Sequence, residues 1–242
     1  MNSIEIIKPD IFPEDIIISG VTKRNLELFP PRGFTLSHVG ISEEEFKKYL
    51  LVFSNFLGVD VSNLCYNHQI HSDRIVIAED TQKIEDADAL ITNKKNLVLF
   101  VKIADCAGIL IYEPIVKCIA AIHSGWKGSK ENIVEKTIKM LQNEYRAQPS
   151  SMMVYISPMA SAKNYEVGVE FLQFFPSEVI YKVDNKLYYD NQKMILHQLN
   201  DAGVKPENIE CSNLCTIDNI DLHSYRRDKE NSGRMAVFIC MK

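Results

Sequence analysis

No stretch of this chain is apolar for long enough to cross a membrane: the longest runs, at residues 97–101 and 109–112, fall far short of the about 20 residues a spanning helix needs. A positively charged start leading into a long apolar stretch is also missing, so Met1-Asn2-Ser3-Ile4-Glu5 gives no export signal. Basic residues are not in excess. Lys and Arg number 27 against 32 Asp and Glu, a net charge of −5, which argues against nucleic acid as the main partner and leaves room only for a local phosphate pocket. Histidine is sparse, at six residues with no His-x-His pair, and tryptophan occurs once. The six cysteines (65, 106, 118, 211, 215 and 240) follow no framework spacing, so reduced thiols in a cytoplasmic protein are expected, five of them as small buried hydrophobes. No Gly/Ser linker, low-complexity tract or repeat divides the 242 residues, a length suited to a single domain with one substantial core.

What is present is organised in short apolar runs and a few amphipathic stretches. Residues 42–57 predict a helix: Ser42 can cap it with Glu45 as capping-box partner, Phe46, Tyr49, Leu50, Phe53, Phe56 and Leu57 share one face, and Gly58 ends it. Runs at 97–103, 109–112 and 118–122 are rich in Val and Ile and bounded by Asp, Gly and Pro, which predicts buried strands with Glu113-Pro114 as a turn. Residues 64–79 suggest two strands around a bend. A helix is expected from Ser129, with Ile133, Val134, Thr137, Ile138 and Leu141 as its apolar stripe, then a strand at 152–156 and helices around 167–175 and 192–201. Final strands are expected at 209–211 and 235–240. Strands and helices mix without regular alternation, so the expected class is α+β with mixed β-sheets flanked by helices.

Three segments carry the chemistry: Gln69-Ile70-His71, Ala104-Asp105-Cys106, and Ala121-Ile122-His123 followed by Ser124-Gly125-Trp126-Lys127-Gly128. A thiolate and two imidazoles suit a borderline-soft cation such as Zn²⁺, and three protein ligands leave one coordination position open for chemistry. Spacing alone does not establish this, and a lone His71 is more often an ordinary hydrogen-bonded histidine. His68, at an odd separation on an extended segment, faces the other way and is the poorer ligand. Cys106 follows a buried strand, a common place for site residues, whereas Cys118 sits inside one. Asp105 either orients a ligand or closes a turn. The strand, glycine loop and helix start around residues 123–129 suggest an anion cradle with Lys127 as its cation, although the spacing is not that of a P-loop. Trp126 is either a flat wall for an aromatic base or core.

These segments, with Ser157-Pro158 through Tyr165-Glu166-Val167-Gly168, Ser224-Tyr225-Arg226-Arg227-Asp228 and Ser232-Gly233-Arg234-Met235-Ala236, resemble the YfiH/laccase-domain family in order and spacing from about residue 18 to the carboxy terminus. The resemblance implies a YfiH-like α+β fold, distantly like cysteine-histidine deamidase toxins, with His71, Cys106 and His123 as zinc ligands. It also implies phosphorolysis of adenosine, inosine and 5′-methylthioadenosine, adenosine deamination as a second reaction, and purine nucleosides with inorganic phosphate as partners. Substrate contacts are expected from Arg24, Gln69, Trp126, Lys127, Tyr165 and Arg226, with Lys127, Arg24 and Arg226 on phosphate. The deaminase signature H-x-E with P-C-x-x-C is absent, which leaves Asp105 and Glu166 as candidate proton carriers. Three departures bear on substrate preference: Lys127 stands where arginine is usual, Arg24 lacks its following glycine pair, and Lys163-Asn164 replaces a frequent cysteine pair.

Competing readings are a copper polyphenol oxidase, disfavoured by the missing His-x-His pairs, and a cysteine hydrolase using Cys106 with His123, which leaves His71 idle. A zinc-stabilised binding protein and a role in cell-wall precursor editing are further alternatives.

Overall fold

The computed structural model describes residues 4–79 and 85–242, so Met1-Asn2-Ser3 lies outside the described residues. Two β-sheets stack face to face. One has the order Ile6–Ile7, Ile17–Thr22, Met235–Met241, Val98–Ile103, Leu64–Cys65. The other has the order Ile209–Cys211, Met153–Ile156, Ala107–Glu113, Cys118–Ser124, Ala89–Thr92, Ile75–Ile77. Both mix parallel and antiparallel pairs, as the α+β expectation requires.

The alternation of side chains along a strand explains the layering. Leu99, Val101 and Ile103 meet Leu110, Tyr112, Ile119 and Ala121 in the core between the sheets. Their neighbours Val98 and Phe100 face outward and are covered by Phe46, Tyr49, Leu50 and Phe53 of the helix Glu43–Leu57. On the other side Ile109, Ile111, Ala120 and Ile122 pack under Val134, Ile138 and Leu141 of the helix Ile133–Tyr145 and under Ile195 and Leu199 of Asn191–Asp201. Central strands are therefore buried on both faces, which is why they read as continuous apolar runs instead of alternating ones.

The first helix starts as its sequence predicts, with Ser42 Oγ accepting from Glu45 N at 3.1 Å and Gly58 at φ +70° closing it. Glu45 does not complete a capping box; its carboxylate accepts from Tyr49 O–H at 3.2 Å. The helix expected around 167–175 is not there. Glu166–Val167 is a strand paired with Lys186–Tyr189, and only a 3₁₀ segment, Val169–Gln173, follows. Phe171 and Phe175 do have helical spacing, but both pack on Tyr189 in a small separate cluster. The stretch expected to be a loop before Ser129 is also different, since Trp126–Lys130 is already a short helix.

Candidate metal centre and cleft

Chain crossings between the two sheets build the site. Residues 66–74 run from the Leu64–Cys65 strand of one sheet to Ile75–Ile77 of the other, and carry His71 at φ +58°. Residues 104–106 cross in the same sense from Val98–Ile103 to Ala107–Glu113, with Asp105 at φ +86° making the sharp turn and Cys106 just before the strand. His123 is not after its strand but inside it, paired with Gly108. These three side chains converge, with donor atoms all within 4.8 Å of one another and the two imidazole rings 4.8 Å apart at 87°.

Asp88, which the sequence motifs did not single out, holds this arrangement together. Its buried carboxylate accepts from His123 Nδ1–H at 2.7 Å, from Ser72 N at 2.6 Å and Ser72 Oγ at 2.7 Å, and from His71 N at 3.1 Å. One anion thus fixes the ring of one histidine and the backbone of the other. With Nδ1 committed, the Nε2 of His123 is the nitrogen left for a ligand, as in carboxylate-oriented metal histidines. Gly125 lets the thiol approach: a Cβ there would lie 2.8 Å from Cys106 Sγ.

The electrostatics follow from these neighbours. Burial alone would push the Cys106 thiol up, but the His123 and His71 imidazoles outweigh it and hold the thiol well below its usual value. Burial alone would likewise lower His123, and the Cys106 sulfur and Asp88 carboxylate reverse it upward. Asp88 itself, despite burial, is brought down to about 2 by His123 and Ser72. Cys118 is the contrast, pushed up to about 12 by burial and by Glu113. A thiolate beside two imidazoles, one locked by a carboxylate, fits a divalent Zn²⁺-type ion in its donor chemistry.

The three donors open onto a cleft of about 820 Å³, also lined by Gln69, Lys102, Asp105, Tyr165, Arg226 and Arg234. Gln69 is committed to the main chain of Lys102, donating to its carbonyl at 2.8 Å and accepting from its N–H at 2.7 Å. Asp105 accepts from Thr216 Oγ1 at 2.6 Å and Arg226 N at 2.7 Å, so it ties the carboxy-terminal segment to the turn that presents Cys106. Tyr165 forms a wall, its phenol pushed up by burial, with the Arg226 guanidinium 5.2 Å over its ring.

The remaining expected contacts lie elsewhere. Glu166 turns its carboxylate outward to Lys186 at 2.9 Å, and only its carbonyl meets Arg226. Trp126 stacks on Phe174 at 6.1 Å and 14° and belongs to the small aromatic cluster, not to the lining of the cleft. Lys127 is exposed beside Trp126, its Nζ 5.7 Å from the ring centre. Arg24 donates to the Arg32 carbonyl, approaches Asp228 at 3.6 Å and lines a separate cleft with Lys23 and Asn25. Lys102 and Arg234 occupy the lining instead. Each carried a readable signal: Lys102 is the lone charge in an apolar strand, and Arg234 sits inside the Ser232–Ala236 motif.

The chain is similar to known proteins along most of its length. It is 38% identical over 190 residues to a purine nucleoside phosphorylase of Clostridium acetobutylicum, covering 76% of this chain and 79% of that one. It is 31% identical over 216 residues to one of Corynebacterium glutamicum, covering 86% of each. Among solved structures, YlmD from Geobacillus stearothermophilus superposes with a TM-score of 0.89 at 21% identity, over 97% of this chain and 94% of that one. The Neisseria meningitidis protein NMB0706 superposes with a TM-score of 0.86 at 25% identity over the full length of both. A family model described as multi-copper polyphenol oxidoreductase laccase matches residues 32–242, and with these relatives it establishes that the chain belongs to that laccase-like family.

Proposed function

We propose that this protein is a zinc-dependent purine nucleoside phosphorylase acting on adenosine, inosine and 5′-methylthioadenosine, with adenosine deamination as a secondary reaction. The observation that carries the proposal is the His71–Cys106–His123 triad held by Asp88 at the floor of a cleft with cationic walls. The names of the relatives support the substrate class. His71, Cys106 and His123 would hold the metal, which supplies Lewis acidity when bound. A thiolate donor favours zinc over harder cations, and the absence of His-x-His pairs weighs against a multicopper centre.

The protein's own groups do the rest. Tyr165 and Arg226 offer a flat, polarisable wall suited to a purine ring. In phosphorolysis a phosphate oxygen bonds to the anomeric carbon as the bond to the base breaks, and the base leaves with that electron pair and takes up a proton. Positive charge develops on the sugar, and the Asp105 carboxylate lining the same cleft is placed to stabilise it.

The test is product analysis of purified, zinc-loaded protein with adenosine, with and without phosphate. Adenine and ribose 1-phosphate appearing only with phosphate are expected, with a smaller yield of inosine. Absence of both products would overturn the assignment. A second reading, a cysteine hydrolase, is favoured by one observation: the lowered Cys106 thiol next to His123 is also what a nucleophile needs. Retained turnover in rigorously metal-free protein would select it.

A further inference from the structure

Lys102 and Arg234 bring two cations to the same part of the cleft. Lys102 is on the Val98–Ile103 strand, opposite Ala236, and Arg234 immediately precedes the neighbouring strand Met235–Met241. Both line the cleft that holds His71, Cys106 and His123. Among the described residues neither forms an ion pair with a carboxylate. Lys102 Nζ has only the Tyr66 ring, 5.3 Å away. Arg234 uses Nη1 on the carbonyls of Ser232 at 3.1 Å and Gly233 at 2.8 Å and lies 5.6 Å from the Tyr225 ring centre, which leaves its Nε and Nη2 without a hydrogen-bond partner among the described residues.

Asp105 and Arg227 nearby are committed to other partners, while Arg226 lies over the Tyr165 ring. Asp105 is satisfied by Thr216 and the Arg226 main chain. Arg227 is saturated by Asp228 and by four main-chain carbonyls, of Thr216, Ile217, Asn219 and Leu222. Two like charges drawn partly out of water are unfavourable: Asp88 acts on Lys102, and Cys106 and Asp105 act on Arg234, yet both groups stay below their usual values, and a ligand that brings further negative charge offsets that cost. Burial and the Arg234 charge together lower the Lys102 ammonium to about 8 against the opposing pull of Asp88. A free edge of a guanidinium and a neighbouring point charge suit a tetrahedral oxyanion, which accepts from both at once.

We propose that Lys102 and Arg234 together form the subsite for a tetrahedral phosphoryl oxyanion in this cleft. The inference rests on the phosphorylase reading for its physiological ligand, inorganic phosphate, in place of the Lys127 and Arg24 contacts that the sequence suggests. The same chemistry could be supplied by the 5′-phosphate of a nucleotide.

Calorimetric titration of the zinc-loaded protein with inorganic phosphate and, separately, with AMP tests the site without relying on turnover. Lys102→Met keeps the apolar stem and removes the charge; Arg234→Gln repeats the test from the other side of the pair. Each should weaken phosphate binding by on the order of tenfold or more, and raise the KM for phosphate more than the KM for adenosine. Lys102→Met should also hold or raise Tm in phosphate-free buffer, whereas a lysine needed only for folding would lower it. Unchanged phosphate affinity in both variants overturns the subsite and leaves the phosphorylase reading standing. Phosphate binding lost in the variants of a protein that turns over no nucleoside supports the subsite and overturns the phosphorylase reading. Binding of AMP without binding of free phosphate keeps the residues and assigns the anion to a nucleotide.

Discussion

His123 and His223 are both buried, at 3% and 0% exposure, and their surroundings drive them to opposite protonation states. His123 donates from Nδ1 to the Asp88 carboxylate and faces the Cys106 sulfur, so the imidazolium is favoured in spite of burial. His223 meets only backbone: its Nδ1 accepts from Gly233 N–H at 3.1 Å and its Nε2–H donates to the Phe34 carbonyl at 2.8 Å. Those two bonds need the neutral ring. Burial, with Arg24 and Arg234 near, takes His223 down to about 4. Burial penalises charge at both places; a carboxylate in contact with His123 overcomes it, whereas at His223 the two arginines add to it and outweigh the pull of Asp228. The charged histidine can exchange its proton for a metal. The neutral one joins the chain near Phe34 to the segment that carries Arg234, and holds the wall of the cleft.

The largest expected effect comes from removing the anion. Asp88→Ala leaves the His123 ring without its carboxylate and the amides of 70–72 without an acceptor, so metal-free protein should lose about 3–5 kcal/mol. Metal occupancy should fall with it. Urea unfolding and metal analysis measure the two losses, and a variant as stable as the parent would collapse the contrast between the histidines.

Acid tests the other histidine. Its folded value of about 4 lies below the ordinary 6.5, so between these the unfolded chain binds the proton and the native state does not. The stability it contributes is complete above pH 6.5 and is lost as pH falls towards 4, on the order of 3 kcal/mol in all. Urea midpoints of the parent and His223→Gln across this range should converge as pH drops. Parallel curves would mean that His223 is already charged.

Crowding the neutral ring should have a smaller effect. In Gly233→Ala the new Cβ would meet His223 Cε1 at 2.6 Å and Thr35 Cβ at 2.8 Å, an overpacking worth about 1–3 kcal/mol that thermal unfolding would read. The smallest change is expected at Lys127, which touches neither histidine's environment. Lys127→Ala should alter stability by no more than about 0.5 kcal/mol and leave the KM for phosphate nearly unchanged. A large rise in that KM would return the anion contact to the short helix after His123.

Much of this was readable in the chain. The two-faced burial of the central strands, the helix after Ser42 and the approach of His71, Cys106 and His123 all rest on local patterns or ordered motifs. Asp88 was not, because a single aspartate before an apolar run looks like a turn residue until the fold brings Ser72 and His123 to it. Lys127 and Trp126 were misleading for the opposite reason. Their nearness in sequence to His123 suggested nearness in space, but a helix beginning at Trp126 turns them towards solvent and the Phe174 cluster. The expected helix at 167–175 failed because Phe171 and Phe175 satisfy helical spacing while Val167 is drawn into a strand by Leu187.

The crossing at 66–74 has a kinetic consequence. It lacks regular hydrogen-bonded structure over most of its length, and such a segment usually frays and exchanges its amide hydrogens within the time of sample handling. Here the N–H groups of Ile70, His71 and Ser72 all point at one buried carboxylate. Their exchange clock is therefore set by release of Asp88, not by breathing of the loop. Three consecutive slow amides in an otherwise irregular crossing would be its signature in a deuterium-exchange experiment, with the amides of Gln69 and Asp73 on either side already exchanged.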